Sequence, residues 1–175
     1  MDDLRFPIGK YQSQQKASDE TFQTWLKTIA SFHNLLKDVV SGLSEDQLNT
    51  TYRPNSWTIK QLVHHLADSH MNAYMRFKLA LTEDNPIIKP YFEAKWATLE
   101  DYTGSIASSM KIIEGVHQRW ERLLASMSDI DYKRTYVHPE FNSQYDLKEA
   151  VCQYEWHCRH HLAHIELAKN NFNRS

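Results

Sequence analysis

The chain has 175 residues, of which 41% are hydrophobic, with only four glycines and five prolines, so we expect one helical globular domain over 1–175. Its 20 Lys and Arg residues are interleaved with 22 Asp and Glu residues, and the net charge of −2 excludes the basic stripe of a nucleic-acid or anionic-membrane binder. The sequence shows neither an apolar run of about 20 residues nor the apolar core of a signal peptide, so we expect a cytoplasmic protein.

Four long amphipathic patterns follow one another along the chain, and each ends in helix-breaking residues. They run over about 18–40, 58–81, 104–127 and 146–169. A possible capping box at 44–47 predicts a further short turn, and Asp146 is a candidate N-cap for the last helix. Without strand-like alternation, these patterns predict an all-α four-helix bundle. The connections 83–102 and 128–145 are long for a bundle, and we expect them to fold over one end of it.

The two cysteines, Cys152 and Cys158, fall within the last predicted helix. On one straight helix they lie about 9 Å apart along the axis, too far for a disulfide. We therefore expect two reduced thiols.

Histidines are concentrated in two of the predicted helices. Three lie in the segment 57–70 and four in the segment 155–166, which together hold seven of the ten in the chain. The second segment contains two His-x-x-x-His pairs, 157/161 and 160/164. Residues four apart lie on one helical face, so either pair can bind one metal ion, and neutral imidazole is the commonest metal ligand. A third ligand must come from elsewhere, and the first segment can supply it.

Helical geometry favours the 157/161 pair. At about 100° per residue, His157 lies about 40° from His161, and both fall on the apolar face of the last helix. His160 and His164 fall at its margin, about 100° and 60° from His161. Two unpaired imidazoles within an apolar face would be costly to bury, and a metal ion gives both a partner.

The second helix leaves the third ligand open. Its apolar face centres on Ile59, Leu66, Ala73 and Phe77. On this projection His64 points away from that face and His70 points into it. His65 lies on its edge, in a polar row with Thr58, Ser69, Asn72 and Arg76. Geometry alone does not decide between His65 and His70.

The motifs together resemble the DinB/YfiT-like metalloprotein superfamily, and most closely its YfiT-like branch. The main motif is His64-His-Leu-Ala-Asp-Ser-His-Met-Asn72, and Trp57 lies seven residues before its first histidine. Further matches are Phe6-Pro-Ile-Gly9, Arg53-Pro54, Trp57-Thr58, Tyr74, Arg76-Phe-Lys-Leu79, Thr82-Glu83, Pro90-Tyr91, Trp96, His138-Pro139 and Trp156-His157 through Ile165. The resemblance covers nearly the whole chain. Asn55-Ser56 departs from it, because family members often carry glycines there, but this pair lies outside the ligand set.

The resemblance implies a four-helix bundle that is usually a homodimer. It also implies one divalent ion per chain, zinc or nickel, held by His65, His157 and His161. Members are described as metal-dependent hydrolases, and related ones resemble transferases that couple a low-molecular-weight thiol such as bacillithiol to an electrophile. We therefore expect a metal-dependent enzyme with a small-molecule substrate.

Three neutral histidines leave at least one open position on a divalent ion, which can accept water or a substrate thiol. No carboxylate is placed next to the histidines by the sequence, and Asp68 is expected to be a solvated surface charge. The missing base slightly favours the thiol reaction. An alternative is a metal-binding or stress-response module without catalysis.

Three further residues are candidates for substrate binding. Asn72 and Arg76 continue the polar row of His65. Arg76 either binds a substrate carboxylate or phosphate through two hydrogen bonds or forms a structural ion pair. Tyr154 lies one turn before His157 and is either a ligand-binding hydroxyl or a core aromatic. His138, in the last connection, is either near the metal or an ordinary surface histidine.

Overall fold

Four long helices carry the fold. The computed structural model describes residues 2–14 and 16–172. Its helices are α1 (Asp2–Arg5), α2 (Asp19–Val40), α3 (Glu45–Leu48), α4 (Ile59–Thr82), α5 (Glu93–Trp96), α6 (Ala107–Ser126), α7 (Asp129–Tyr132) and α8 (Leu147–Lys169), with a 3-10 turn at Glu100–Thr103. The strands are β1 (Thr135–His138) and β2 (Ser143–Asp146). The predicted four-helix bundle is confirmed, with α2, α4, α6 and α8 as its members.

Side-chain caps fix where the long helices begin. The hydroxyl of Thr58 accepts a hydrogen bond from the backbone N–H of Gln61, whose side chain bonds back to Thr58, so α4 starts at a capping box. The carboxylate of Asp146 accepts from the N–H of Glu149 at 2.7 Å and starts α8, as predicted. The predicted capping box at 44–47 also forms, and it opens the short helix α3.

The core consists of two apolar clusters, one toward each end of the bundle. One contains Trp25, Ile29, Phe77, Trp120 and Leu147, and the other contains Phe32, Ile59, Leu66, Ile113 and Ile165. Two buried histidines lie where the clusters meet. His70 packs against Phe32 of one cluster and Trp120 of the other, with ring centroids 4.9 and 6.3 Å away. His117 contacts the same two rings.

A small hairpin forms in and next to the predicted connection 128–145. Strands β1 and β2 pair antiparallel, with Thr135 opposite Asp146. Ile87 forms a parallel bridge to Val137, which ties the other long connection to the hairpin. Four-residue strands are too short to show a convincing alternation, so the sequence did not reveal this hairpin, and the described chain is still mostly helical. The hairpin lies against α4 and α8, where it forms one wall of the cavity described below.

The N-terminal segment packs along α8. The Tyr11 hydroxyl donates to the buried carboxylate of Glu149, which also accepts from Ser13 at 2.8 Å. The indole N–H of Trp156 donates to the carbonyl of Gly9 at 3.2 Å. Gly9 has φ of +82°, in the left-handed region that favours glycine. This segment covers the side of α8 that carries Glu149 and Trp156.

Both thiols, Cys152 and Cys158, are free and buried. In the described part of the chain, no helix is both long enough and apolar enough to cross a membrane.

Candidate metal centre

Three histidines from two helices converge inside the bundle. His65 comes from α4, and His157 and His161 come from successive turns of α8. Each offers one ring nitrogen, and the three nitrogens lie within 4.8 Å of one another. The Nε2 atoms of His65 and His157 are 3.3 Å apart. The ring centroids of His65 and His161 are 4.9 Å apart, and those of His157 and His161 are 4.5 Å apart.

The spacing fits a divalent ion. Zinc binds histidine nitrogen at about 2.0–2.1 Å in tetrahedral geometry, so two such ligands lie about 3.3–3.4 Å from each other. The separation of 3.3 Å between the Nε2 atoms of His65 and His157 matches this distance. Borderline nitrogen donors of this kind suit zinc and nickel better than magnesium or calcium, which prefer oxygen. The residues therefore fit the ion that the sequence resemblance implies.

Burial keeps these rings neutral. Loss of solvent, aided by the nearby His160, lowers the pKa of His65 to about 4. Burial first, and neighbouring histidines second, hold the pKa values of His157 and His161 well below the ordinary value. Neutral imidazoles present a lone pair at neutral pH, which a metal ligand requires.

His65 is held in place by an aromatic neighbour. Its ring packs on Trp57, with centroids 4.7 Å apart, and only 2% of the residue is exposed. Its Nδ1 is buried and has no hydrogen-bond partner among the described residues. The spacing of Trp57 and His65 in the sequence thus corresponds to a direct packing contact at the candidate site.

The other histidines of α4 take different positions. His70 lies behind His157, with its Nε2 3.2 Å from the Nδ1 of His157, and it is absent from the converging set. The expectation that His64 points away from the core was wrong. His64 is 4% exposed, and its Nδ1 lies 2.8 Å from the Ser109 hydroxyl. The cause is α6, which packs on a side of α4 that a projection of one helix treats as surface.

His160 and His164 form a second group that shares His161. His160 stacks on Trp156 with centroids 4.3 Å apart, and His164 stacks on Tyr52 at 4.0 Å. The Nε2 of His164 lies 3.1 Å from the carbonyl oxygen of Arg5. These two rings are therefore engaged with Tyr52 and the N-terminal segment, while His157 reaches a cavity.

The cavity next to His157 has a volume of about 160 Å³. Its walls come from α4, α8, the connection after α4 and the hairpin. They are formed by Ser69, Arg76, Pro90, Tyr91, Glu93, Tyr136, His138, Glu140, Phe141, Tyr145, Gln153, Tyr154 and His157. Of the three converging histidines, His157 is the one that faces this space.

Two predicted substrate-binding residues meet at the cavity wall. The Nη1 of Arg76 donates to the hydroxyl of Tyr154 at 2.9 Å. The Nε of Arg76 is buried without a hydrogen-bond partner, and no carboxylate within 2–14 and 16–172 lies at ion-pair distance from it. Tyr154 is buried, and that burial raises the pKa of its hydroxyl, which therefore stays protonated at neutral pH. Arg76 thus has an unused donor edge.

The connections contribute polar groups that the sequence did not place with certainty. His138 is 8% exposed, and its buried Nδ1 has no partner among the described residues. Burial and the positive charge of Arg76 lower the pKa of His138. At the rim, burial raises the pKa of Glu93, while Arg76 opposes that rise. The sequence did not reveal Glu93, because nothing in the pattern of a connection shows which of its residues line a cavity.

Asn72 and Asp68 lie away from this cavity. The side-chain amide of Asn72 donates to the backbone carbonyl of Asp68 at 2.8 Å. Asn72 lines a neighbouring, mostly apolar cavity of about 410 Å³, which shares Arg76 and Tyr91 with the first. The carboxylate of Asp68 accepts a hydrogen bond from the Tyr102 hydroxyl at 2.6 Å, and burial raises its pKa. Asp68 is thus half-buried rather than fully solvated, and it is directed toward Tyr102.

Comparison with known proteins gives consistent relatives. A model of the DinB superfamily matches residues 28–165. A protein of Oceanobacillus iheyensis named "Putative metal-dependent hydrolase" is 46% identical over 161 residues, covering 92% of this chain and 93% of that protein. A Bacillus cereus protein of that name is 44% identical over 173 residues, 99% of each chain. YfiT from Bacillus subtilis, a solved structure described as "a probable metal-dependent hydrolase with an unusual four-helix bundle topology", aligns with a TM-score of 0.91 at 40% identity, covering 96% of this chain and 97% of its own.

Proposed function

The chain belongs to the DinB superfamily, and we propose that His65, His157 and His161 hold one divalent metal ion, zinc or nickel, in a metal-dependent hydrolase. The observation that carries this proposal is the separation of 3.3 Å between the Nε2 atoms of His65 and His157, beside a cavity that His157 lines. Relatives that match 92% or more of this chain carry the name "Putative metal-dependent hydrolase", which supports the reaction class.

The ion supplies Lewis acidity, which activates water or a thiol as a nucleophile near neutral pH. The three neutral imidazoles leave its positive charge undiminished. His138 is positioned to accept a proton in the cavity, because its Nδ1 is unpartnered and its lowered pKa keeps it neutral. His138 would thus be the general base that the sequence did not place beside the histidines, and its presence favours hydrolysis.

Arg76 fits an anionic group on the substrate. Its Nη1 is held by Tyr154, which orients the guanidinium, and its Nε remains free to donate. An arginine oriented in this way can bind a carboxylate or phosphate through two parallel hydrogen bonds. We therefore infer a small anionic substrate that places its reacting group near His157 and its charge on Arg76.

Thiol transfer is the second candidate. No carboxylate among the described residues hydrogen-bonds to His65, His157 or His161. The site therefore lacks the carboxylate that acts as general base in many hydrolases. A thiol needs no such base once it is bound as a thiolate. The anionic group of a small acidic thiol could also bind to Arg76.

The test compares two reactions on one zinc-loaded preparation. Hydrolysis of a panel of anionic esters and amides is measured beside conjugation of small acidic thiols to an electrophile. The His65→Ala variant should lose the activity, and His64→Ala, its neighbour with no contact to the cluster, should keep it. Thiol conjugation without hydrolysis would replace the hydrolase proposal by the transferase. Failure of both reactions with zinc fully retained would favour a metal-binding module without catalysis.

The homodimer and the cytoplasmic location stay predictions.

A further inference from the structure

A row of histidines crosses the whole bundle behind the proposed ligand His157. The Nδ1 of His157, on α8, lies 3.2 Å from the Nε2 of His70, on α4. The Nδ1 of His70 lies 2.8 Å from the Nε2 of His117, on α6. The Nδ1 of His117 lies 2.8 Å from the backbone carbonyl oxygen of Ile29, on α2. Each long helix therefore contributes one member of a continuous hydrogen-bonded chain.

The carbonyl at the end of the row sets the direction of every hydrogen bond. A carbonyl oxygen can only accept, so the proton of His117 must be on Nδ1, and its Nε2 carries a lone pair. That lone pair accepts from the Nδ1–H of His70, whose Nε2 is then free to accept from the Nδ1–H of His157. By the same logic the Nε2 of His157 is unprotonated, and this is the atom that faces His65.

This row of hydrogen bonds requires neutral rings, each with a single N–H, and burial favours neutral rings. His70 is fully buried and His117 is 2% exposed. Loss of solvent lowers the pKa of His117 to about 4. The complete burial of His70 likewise disfavours a charged ring.

We propose that His117 and His70 are positioning residues that fix the tautomer of His157, so that its unprotonated Nε2 faces the metal site. The inference rests on the proposed three-histidine site. His70 touches His157, but His117 has no ring contact or hydrogen bond with any of the three ligands, so any effect of His117 must pass through His70. Without an acceptor at position 117, His70 loses the partner of its Nδ1–H. Its alternative tautomer donates Nε2–H to His157 and moves the proton of His157 onto the metal-facing nitrogen.

The experiment measures zinc affinity and ring tautomers together. Zinc dissociation constants are determined by chelator competition for the wild type, His117→Phe, His117→Gln and His64→Phe. Gln can accept from His70 and donate to Ile29, so it is the conservative replacement. His64→Phe is the matched control, since it removes another buried histidine whose partners, Ser109 and Gly104, are remote from the row. Two-bond proton–nitrogen correlation spectra of the zinc-loaded wild type report which ring nitrogen carries each proton.

Loss of a partner that orients a metal-bound histidine typically weakens metal affinity about 10–100-fold. We expect that loss in His117→Phe, a smaller loss in His117→Gln, and wild-type affinity in His64→Phe. The spectra should show His70 and His117 protonated at Nδ1. Protonation of either ring at Nε2 overturns the inference, as does wild-type affinity in a folded His117→Phe. If that variant does not fold, the wild-type spectrum still decides. Failure of the wild type to bind zinc would instead reject the proposed site itself.

Discussion

Acid should destabilise the metal-free protein strongly, because nearly all of its histidines are neutral in the folded state. Burial is the leading cause that lowers the pKa of nine of the ten, namely His64, His65, His70, His117, His138, His157, His160, His161 and His164. The unfolded chain binds protons at these groups near pH 6.5, where the folded chain does not. Their contribution to stability is therefore complete above about pH 6.5 and is lost as the pH falls.

His117 allows the magnitude to be worked out for one group. Its pKa falls from the ordinary 6.5 to about 4, and the residue is 2% exposed. At 1.36 kcal/mol per unit, the difference of about 2.5 units corresponds to about 3 kcal/mol of unfolding free energy. That contribution is lost between about pH 6.5 and pH 4, and it levels off below pH 4, where the folded ring also takes up its proton.

Urea unfolding of chelator-treated protein, followed by circular dichroism at several pH values, measures this contribution. His117→Gln lacks the titrating ring, so its unfolding free energy should fall less steeply with acid, by up to about 1.4 kcal/mol per pH unit. Ile113→Val is the control, since Ile113 is fully buried on the same helix. It should cost about 0.5–1.5 kcal/mol at every pH and leave the slope unchanged. Equal slopes for the wild type and His117→Gln would refute the reasoning.

Three further predictions concern the site and the assembly. Replacing His161 with Ala should abolish metal retention in elemental analysis, and replacing His160 should not, whereas equal loss in both would move the site to the second histidine group. Arg76→Ala should raise the Michaelis constant for an anionic substrate with little change in turnover, and a neutral analogue should show no difference between the two enzymes. Light scattering should give a homodimer, and a mass of 20.7 kDa, that of one chain, would contradict it.

The four long helices could be predicted because their sequence signals are local. Apolar residues recur at helical spacing over about six turns in each, and caps such as Thr58 and Asp146 lie where the helices begin. On α8 the same periodicity favoured His157 and His161 over their neighbours. On α4 it left His65 and His70 open, because a projection of one helix does not show where the partner helix lies. The structure shows that both contact His157, His65 at Nε2 and His70 at Nδ1.

The features that the sequence did not reveal depend on contacts between distant segments. The burial of His64 by α6 requires the packing of two helices, and the place of Glu93 at the cavity rim requires the fold of a long connection. The N-terminal segment contacts α8 through pairs such as Tyr11 and Glu149, which are 138 residues apart. The sequence also did not reveal the proposed positioning role of His117. At its position, His117 fits the pattern of the apolar face of α6.

The most direct test of the three-histidine site is a crystal structure of the zinc-loaded protein with anomalous data collected at the zinc edge. We expect one anomalous peak per chain, with the Nε2 atoms of His65 and His157 and one ring nitrogen of His161 at about 2.0–2.1 Å from it. A peak among His160, His161 and His164, or four protein ligands that leave no open position, would contradict the proposed centre.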